Sequence, residues 1–325
     1  MASSQDSKSP SLDQARVMMW CTPRSISSVF CKCMSFVPDI DIFFDTYYFA
    51  FEAELNLTTI GKEVDHDADN LSDDDWRKAA GMVCEEDCSG DRIKLDMLKY
   101  PSVKSMLDNP EPNKRVIFYK GVSQSIDSKH FRFLPDKSSN YKHSFLLRHP
   151  AKVYSSWKKV IYAVLKDVGD GTGKKITKSL QDFDLRRDVP EKYNLTDLLY
   201  KELHDLWVHV REDLDPSPVV MESDDLLADP AGMLSKYCKA VGIPYNDSLL
   251  SWDANPDITD IWKCAFMPVK DFEFIRIFCH NAFHTSNFLP PPPVPSLDDL
   301  PDDVREVVET SMPYYNAMYQ TRLLS

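Results

Sequence analysis

A three-layer α/β fold, with a mostly parallel sheet and helices on both faces, is predicted by three features of this 325-residue chain. Short apolar runs alternate with stretches of helical spacing, the pattern of strands joined by crossover helices. Several runs are continuously apolar, as suits strands covered on both faces. A strand, a tight polar turn and a helix follow one another at residues 16–36, at the head of the pattern, as in mononucleotide-binding folds.

In that first unit Val17-Met18-Met19-Trp20 is the strand, and Val29-Phe30-Cys31-Lys32-Cys33-Met34 opens the helix. The turn between them runs Thr22-Pro23-Arg24-Ser25-Ile26-Ser27-Ser28. Pro23 and the serines break the apolar run, and Ser25, Ser27 and Ser28 suit a helix start. A strand that turns sharply into a helix presents unpaired backbone N–H groups at the positive end of the helix dipole, which makes an anion site. Arg24 adds a forked cation and the serines add hydroxyl donors. A phosphate is expected here.

A second strand is expected at 41–44, with an aromatic segment after it. Asp45 stands at its end. It reads as a helix cap or turn residue, or as a carboxylate at the carboxyl end of a parallel strand, where open α/β sheets place ligands. Residues 61–91 are acidic and read as a mobile surface loop, then a helix begun near Ser72. They lack the spacing and glycine of a calcium hand. A helix at 93–107 is expected to be interrupted near Pro101.

The third strand spans 114–119, with Lys120 just beyond it. Lys120 is either a snorkelling surface lysine or a site residue. A fourth strand at 141–148 ends on Arg148, followed by His149-Pro150 and a helix at 151–163. Ser156 lies on that helix, about two turns on. Arg148 reads as a salt-bridge residue or as a clamp for a second phosphate. Residues 166–190 are charged, carry three of the nine glycines, and read as a flexible excursion with a short helix at 178–183. Leucines at helical spacing predict a helix over 193–214. A strand at 218–221 precedes a helix at 231–241, stopped by Gly242 and Pro244. A stiff proline spacer at 290–293 leads to a terminal helix at 299–324. The organisation expected is a disordered tail over 1–15, an α/β domain over 16–290, and the spacer with its helix over 291–325.

The net charge of −13 argues against a duplex nucleic-acid partner. An anionic ligand then needs a local cationic pocket. No apolar run reaches the roughly 20 residues of a membrane span, and the polar start carries no secretory signal. Eight cysteines are too few for a disulfide scaffold, which points to reduced thiols and a cytoplasmic setting. Cys31-x-Cys33 and Cys84-x3-Cys88 make a weak zinc pattern, because helix positions two apart do not face one another. No metal is expected.

Taken together, three segments resemble the sulfotransferases that use 3′-phosphoadenosine 5′-phosphosulfate (PAPS), and more narrowly a cytosolic branch with some aminotransferase-like names. The turn from Thr22 to Ser28 resembles that family's 5′-phosphosulfate loop. Leu146-Leu147-Arg148-His149-Pro150 through Ser156 resembles its 3′-phosphate motif, with Arg and Ser eight apart. Residues 219–230 resemble a strand and an acidic segment found downstream. The resemblance covers roughly residues 16–290.

It implies that the loop backbone, Arg24, Ser25, Ser27 and Ser28 hold the 5′-phosphosulfate, while Arg148 and Ser156 hold the 3′-phosphate. Trp252, Trp262 or Tyr193 is the expected adenine platform. Arg24 and Lys120 are expected to neutralise the leaving phosphate. A Walker loop would need Gly-Lys-Ser/Thr, which is missing, so the reading is metal-independent sulfuryl transfer to a hydroxyl or amine. Two departures stand out. Ile26 occupies a position where many relatives have Gly, so the turn must be one that a branched residue tolerates. Val122 occupies the place of a His that serves as base. Asp45 is the candidate base instead, with His149 and His130 as alternates. The acceptor is expected to be a small molecule, apolar or ring-bearing, bound by the aromatic segment 43–51 and by the region 262–288. The oligomeric state stays open, a homodimer among the options. The alternative function is a non-catalytic nucleotide-binding or scaffold protein on the same fold; a small-molecule kinase would need the missing phosphate-loop and metal residues.

Overall fold

The computed structural model describes residues 14–68, 70–84, 90–170, 174–190 and 198–324. Its strands are β1 (Ala15–Cys21), β2 (Ile40–Phe44), β3 (Val116–Val122), β4 (Lys142–Leu147), β5 (Val219–Glu222) and β6 (Trp262–Lys263). They form one sheet in the order β5-β4-β1-β3-β2-β6, and every pairing is parallel. The helices are α1 (Ser27–Met34), α2 (Thr46–Thr59), α3 (Asp73–Cys84), α4 (Tyr100–Asp108), α5 (Pro150–Asp167), α6 (Leu199–His209), α7 (Ser223–Ala228), α8 (Pro230–Val241), α9 (Glu273–His284) and α10 (Asp302–Tyr319).

The pleat of β1 divides the core. Val17, Met19 and Cys21 point to one face, into a cluster with side chains of α1, α8 and α9. Met18 and Trp20 point to the other, into a cluster with side chains of α5, α6 and α10. Side chains that alternate along a doubly covered strand give this three-layer result. Both faces are apolar, so the run reads as continuous.

Helix ends follow from the sequence. Pro150 supplies the fixed φ of a first helical residue, and His149 accepts a hydrogen bond from the Ala151 N–H at 3.3 Å. Asp229 accepts from Gly232 N–H at 3.0 Å to cap α8, and Gly242 closes it with φ 78°.

Several expectations are corrected. Ala15 already belongs to β1, inside the stretch assigned to the tail; residues 1–13 lie outside the described residues. Lys120 lies within β3, not past it. Pro101 sits in the first turn of α4 and so opens a helix where an interruption was expected. Part of 61–91 is α3, whose Trp76, Ala79 and Ala80 are buried. In the described part of 166–190, Phe183, Leu185 and Val189 are buried against α5 and α6, so the segment is docked on the core. It forms turns at 178–183 in place of a helix. The start of the helix expected at 193–214 lies outside the described residues; α6 covers its middle, and a π turn, Val210–Leu214, ends it.

The C-terminal helix is fastened by charge. Lys158 on α5 reaches both carboxylate oxygens of Asp303 at 2.9 and 2.8 Å. Asp303 also accepts the Leu185 N–H at 2.7 Å. Both side chains are nearly buried, so removing one leaves the other's charge without a partner. Asp303→Ala is expected to cost about 3–5 kcal/mol of unfolding free energy, read as a lower urea midpoint with an unchanged slope.

Candidate functional site

The turns that leave the carboxyl ends of β1 to β5 meet at one edge of the sheet, where open α/β sheets hold ligands. The first turn is held in an unusual conformation. Arg24 and Ile26 both lie in the left-handed region, at φ 65° and 63°. A branched residue is costly there, by about 1–3 kcal/mol. The expectation that Ile26 would avoid positive φ is therefore overturned. The surroundings fix the shape: Ser25 Oγ donates to Thr22 O at 2.8 Å, and Ser223 Oγ, from α7, donates to Ser25 O at 2.9 Å. The same hydroxyl bonds Leu147 O at 2.5 Å, which joins the turns after β1, β4 and β5.

Arg148 Nη1 donates to the Arg24 carbonyl at 2.7 Å. The Arg24 side chain donates from Nε to Ser156 Oγ at 3.0 Å and from Nη1 to Phe278 O at 2.7 Å. Arg24, Arg148 and Ser156, spread over 132 positions of sequence, thus line one cavity of about 590 Å³ with Ile26, Ser27 and Ser28. No carboxylate forms an ion pair with either arginine among the described residues, and Arg148 Nε is buried without a hydrogen bond. Burial pulls both guanidinium pKa values down, and Arg148 adds repulsion at Arg24. The carboxylates of Asp224 and Glu222 act on Arg148 from beyond ion-pair distance, and two half-buried cations at a helix start, neither in an ion pair among the described residues, favour an anion.

A second cavity of about 590 Å³ adjoins the first, sharing Arg24, Ser27, Ser28 and Phe278. Pro23 also lines it. Asp45 and Lys120 form one part of its wall, and Phe44, Tyr48, Phe49, Trp157 and Phe274 another. Lys120 Nζ lies 2.6 Å from Asp45 Oδ2. The pairing follows from register, since Phe44 on β2 stands opposite Lys120 on β3. Lys120 is only 3% exposed, which removes the snorkelling reading. Asp45 occupies the N-cap position of α2, but its side chain makes no cap bond. Burial pushes the Asp45 carboxyl up, against the pull of Lys120. On Lys120 burial acts downward, but the attraction of Asp45 outweighs it and the ammonium stays charged. Cys279, pushed up to about 11 by burial, holds its proton at neutral pH. Val122 lines this cavity without a proton to exchange.

Other expected residues lie elsewhere. His149 caps α5 and packs on Tyr315. His130 lines neither cavity. Trp262 is fully buried, donates to Ser35 Oγ at 2.8 Å and stacks on Phe44, so it is a core residue. Trp252 packs between Phe36 and Phe288. Neither tryptophan borders the site, and Tyr193 lies outside the described residues. Cys31 and Cys33 are buried in the core; Cys88 lies outside the described residues. Sequence reasoning did not single out Trp157, because an aromatic at helical spacing reads as core; Phe278 falls in the region 262–288 expected at the acceptor pocket, and it lines both cavities.

Residues 215–322 match the family model of the sulfotransferase domain. The chain is sulfotransferase-like. The matched third runs from just before β5 past the end of α10 and includes α9, which lines both cavities. Branched-chain-amino-acid aminotransferase-like protein 2 of Arabidopsis thaliana is 21% identical over 238 residues, 73% of this chain and 32% of that protein. The sulfotransferase-like chain thus spans about a third of that relative's length. The sulfotransferase domain from the curacin biosynthetic pathway aligns over 96% of this chain and 99% of its own, at 12% identity and TM-score 0.44. The sulfotransferase domain from the Synechococcus PCC 7002 olefin synthase aligns over 94% and 98%, at 14% identity and TM-score 0.41. Mouse sulfotransferase SULT7A1 complexed with PAP aligns over 73% and 64%, at 14% identity and TM-score 0.37. No described helix is long and apolar enough to cross a membrane.

Glu222, at the end of β5, shows how the site's burial acts on stability. Its Oε2 accepts the N–H groups of Asp224 and Asp225, while burial and then Asp224 raise its pKa to about 7. The stabilising contribution is complete below the ordinary glutamate pKa and is lost as pH rises through about 7. The loss is about 3 kcal/mol. Glu222→Gln keeps an acceptor oxygen for the cap and is expected to flatten this part of the stability profile between pH 4.5 and 7.5. Urea unfolding of both proteins across that range reads the difference.

Proposed function

We propose that this chain transfers a sulfuryl group from PAPS to a hydroxyl or amine of a small-molecule acceptor. The observation that carries the reading is that Arg24 and Arg148, neither in an ion pair among the described residues, line one cavity that opens beside a second, aromatic one. A ligand anionic at two points suits the first. An apolar or ring-bearing acceptor suits the second.

In this reading the turn from Thr22 to Ser28, with Pro23 and Ile26 setting its backbone, holds the 5′-phosphosulfate. Arg148 and Ser156 hold the 3′-phosphate. The acceptor atom forms a bond to sulfur as the bond from sulfur to the 5′-phosphate oxygen breaks. The electron pair leaves on that oxygen, facing Arg24, Lys120 and the start of α1, whose fixed charges favour the leaving group. The acceptor's proton goes to Asp45, whose raised pKa suits a base. Cys21, Cys31, Cys33, Cys238, Cys264 and Cys279 are buried free thiols, which supports a cytoplasmic setting.

Titration with 3′-phosphoadenosine 5′-phosphate (PAP) is expected to give micromolar or tighter affinity; no binding would overturn the proposal. Arg148→Ala is expected to weaken PAP by about 10–100-fold, the value of one or two charge-assisted bonds. The 3′-dephosphorylated analogue should change little.

A second reading, a nucleotide-binding protein without catalysis, is favoured by one observation: the candidate base is closed in an ion pair with Lys120. Labelled PAPS offered with hydroxyl and amine acceptors separates the two. For the enzyme, Asp45→Asn is expected to cut turnover by about 10²–10⁴-fold with PAP affinity retained. Full turnover in that variant would place the base elsewhere.

A further inference from the structure

Away from both cavities, α2 carries a second chemical cluster. Glu54 faces two imidazoles that come from different segments. His66 belongs to the stretch between α2 and α3, and His130 immediately precedes the 3-10 turn Phe131–Phe133. His66 Nε2 lies 3.3 Å from Glu54 Oε1, and His130 Nε2 lies 3.5 Å from Glu54 Oε2. One donor atom from each of the three residues falls within 4.8 Å of the others. We infer that Glu54, His66 and His130 form a binding site for a borderline divalent cation of the zinc type.

Three observations carry this assignment. The first is spacing. Donors about 2.0–2.2 Å from a tetrahedral ion lie roughly 3.3–3.6 Å from one another, a separation that each imidazole nitrogen has from one Glu54 oxygen, Oε1 for His66 and Oε2 for His130. The second is the proton arrangement at His130. Its Nδ1 lies 2.8 Å from Asp127 Oδ1, so Nδ1 carries the proton that it donates there. A carboxylate behind a ligating imidazole is how metal sites orient their histidines. The third is unsatisfied charge. Glu54 Oε1 is buried without a well-formed hydrogen bond. The carboxylates of Glu54, Asp127 and Glu202 all act on the phenol of Tyr100, which stacks on the His130 ring at 4.3 Å.

Two imidazole nitrogens and one carboxylate oxygen favour zinc, cobalt, nickel or copper over magnesium or calcium. The fourth position is open to water. The ion would join α2, the segment before α3 and the segment after β3, acting as a clamp. It has no part in sulfuryl transfer, so the assignment is independent of the proposed function.

The test uses the full chain after dialysis against a chelator, with zinc delivered in competition with a chromophoric chelator. One ion per chain is expected. His66→Ala, His130→Ala and Glu54→Gln should each weaken binding by at least tenfold. Asp127→Asn, which alters only the positioning residue, should weaken it by about tenfold. No stoichiometric zinc, or affinity unchanged in all three ligand variants, would overturn the assignment. Cobalt loading of the unaltered chain guards against variants that fail to fold: it should give the visible absorption of a four-coordinate ion, and a purely octahedral, aqua-like spectrum would count against the site.

Discussion

The hydrogen bond from Arg148 to the carbonyl of Arg24, 2.7 Å long, is the contact on which the site depends. It ties the turn after β4 to the turn after β1, and Ser223 adds the turn after β5. Three separate crossings of the sheet become one rigid edge. The arrangement carries a cost. Arg24 and Ile26 are held in left-handed conformations, and two guanidinium groups are drawn out of water with no ion pair among the described residues. Both costs sit where an anion would offset them, since preorganised donors spend no further energy on reorienting when the ligand arrives.

The two cavities are similar in size and opposite in character. One is bounded by cations and hydroxyls, the other by aromatic rings, and Arg24 and Phe278 stand at the boundary of both. The Asp45–Lys120 pair is the charged feature of the apolar side. Lys120 lies on β3 and Asp45 just past the end of the neighbouring β2, so the sheet register sets their backbones side by side, with the Asp45 N–H donating to Lys120 O at 2.8 Å. The α2 helix then links this wall to the imidazole cluster: Asp45 immediately precedes its first turn, and Glu54 lies nine residues on, about 13 Å along the axis.

Much of this edge was legible in the chain. The polar turn inside an apolar-to-helical transition marks an anion site by backbone chemistry alone, and the spacing of Arg148 and Ser156 places both at the start of one helix. Asp45 and Lys120 were each visible as charged residues at strand ends. Their contact was not, because it depends on which strands pair. The conformation of Ile26 was hidden for a similar reason: local preference argues against it, and hydrogen bonds from residues far along the chain impose it. The strand β6 has only two residues, too few for periodicity to register. In 174–190, charge and turn residues concealed Phe183, Leu185 and Val189, which are spaced too irregularly to mark an element yet are buried. The imidazole cluster joins three segments with no shared motif, so only the folded chain reveals it.

The central claim is that Arg24 and Arg148 grip one doubly anionic nucleotide. A crystal structure of the chain with PAP tests it most directly. The account predicts a single molecule with the Arg148 guanidinium on its 3′-phosphate and with its 5′-phosphate against Arg24 and the first N–H groups of α1. A nucleotide bound outside this cleft, or one that touches only one of the two arginines, would contradict it.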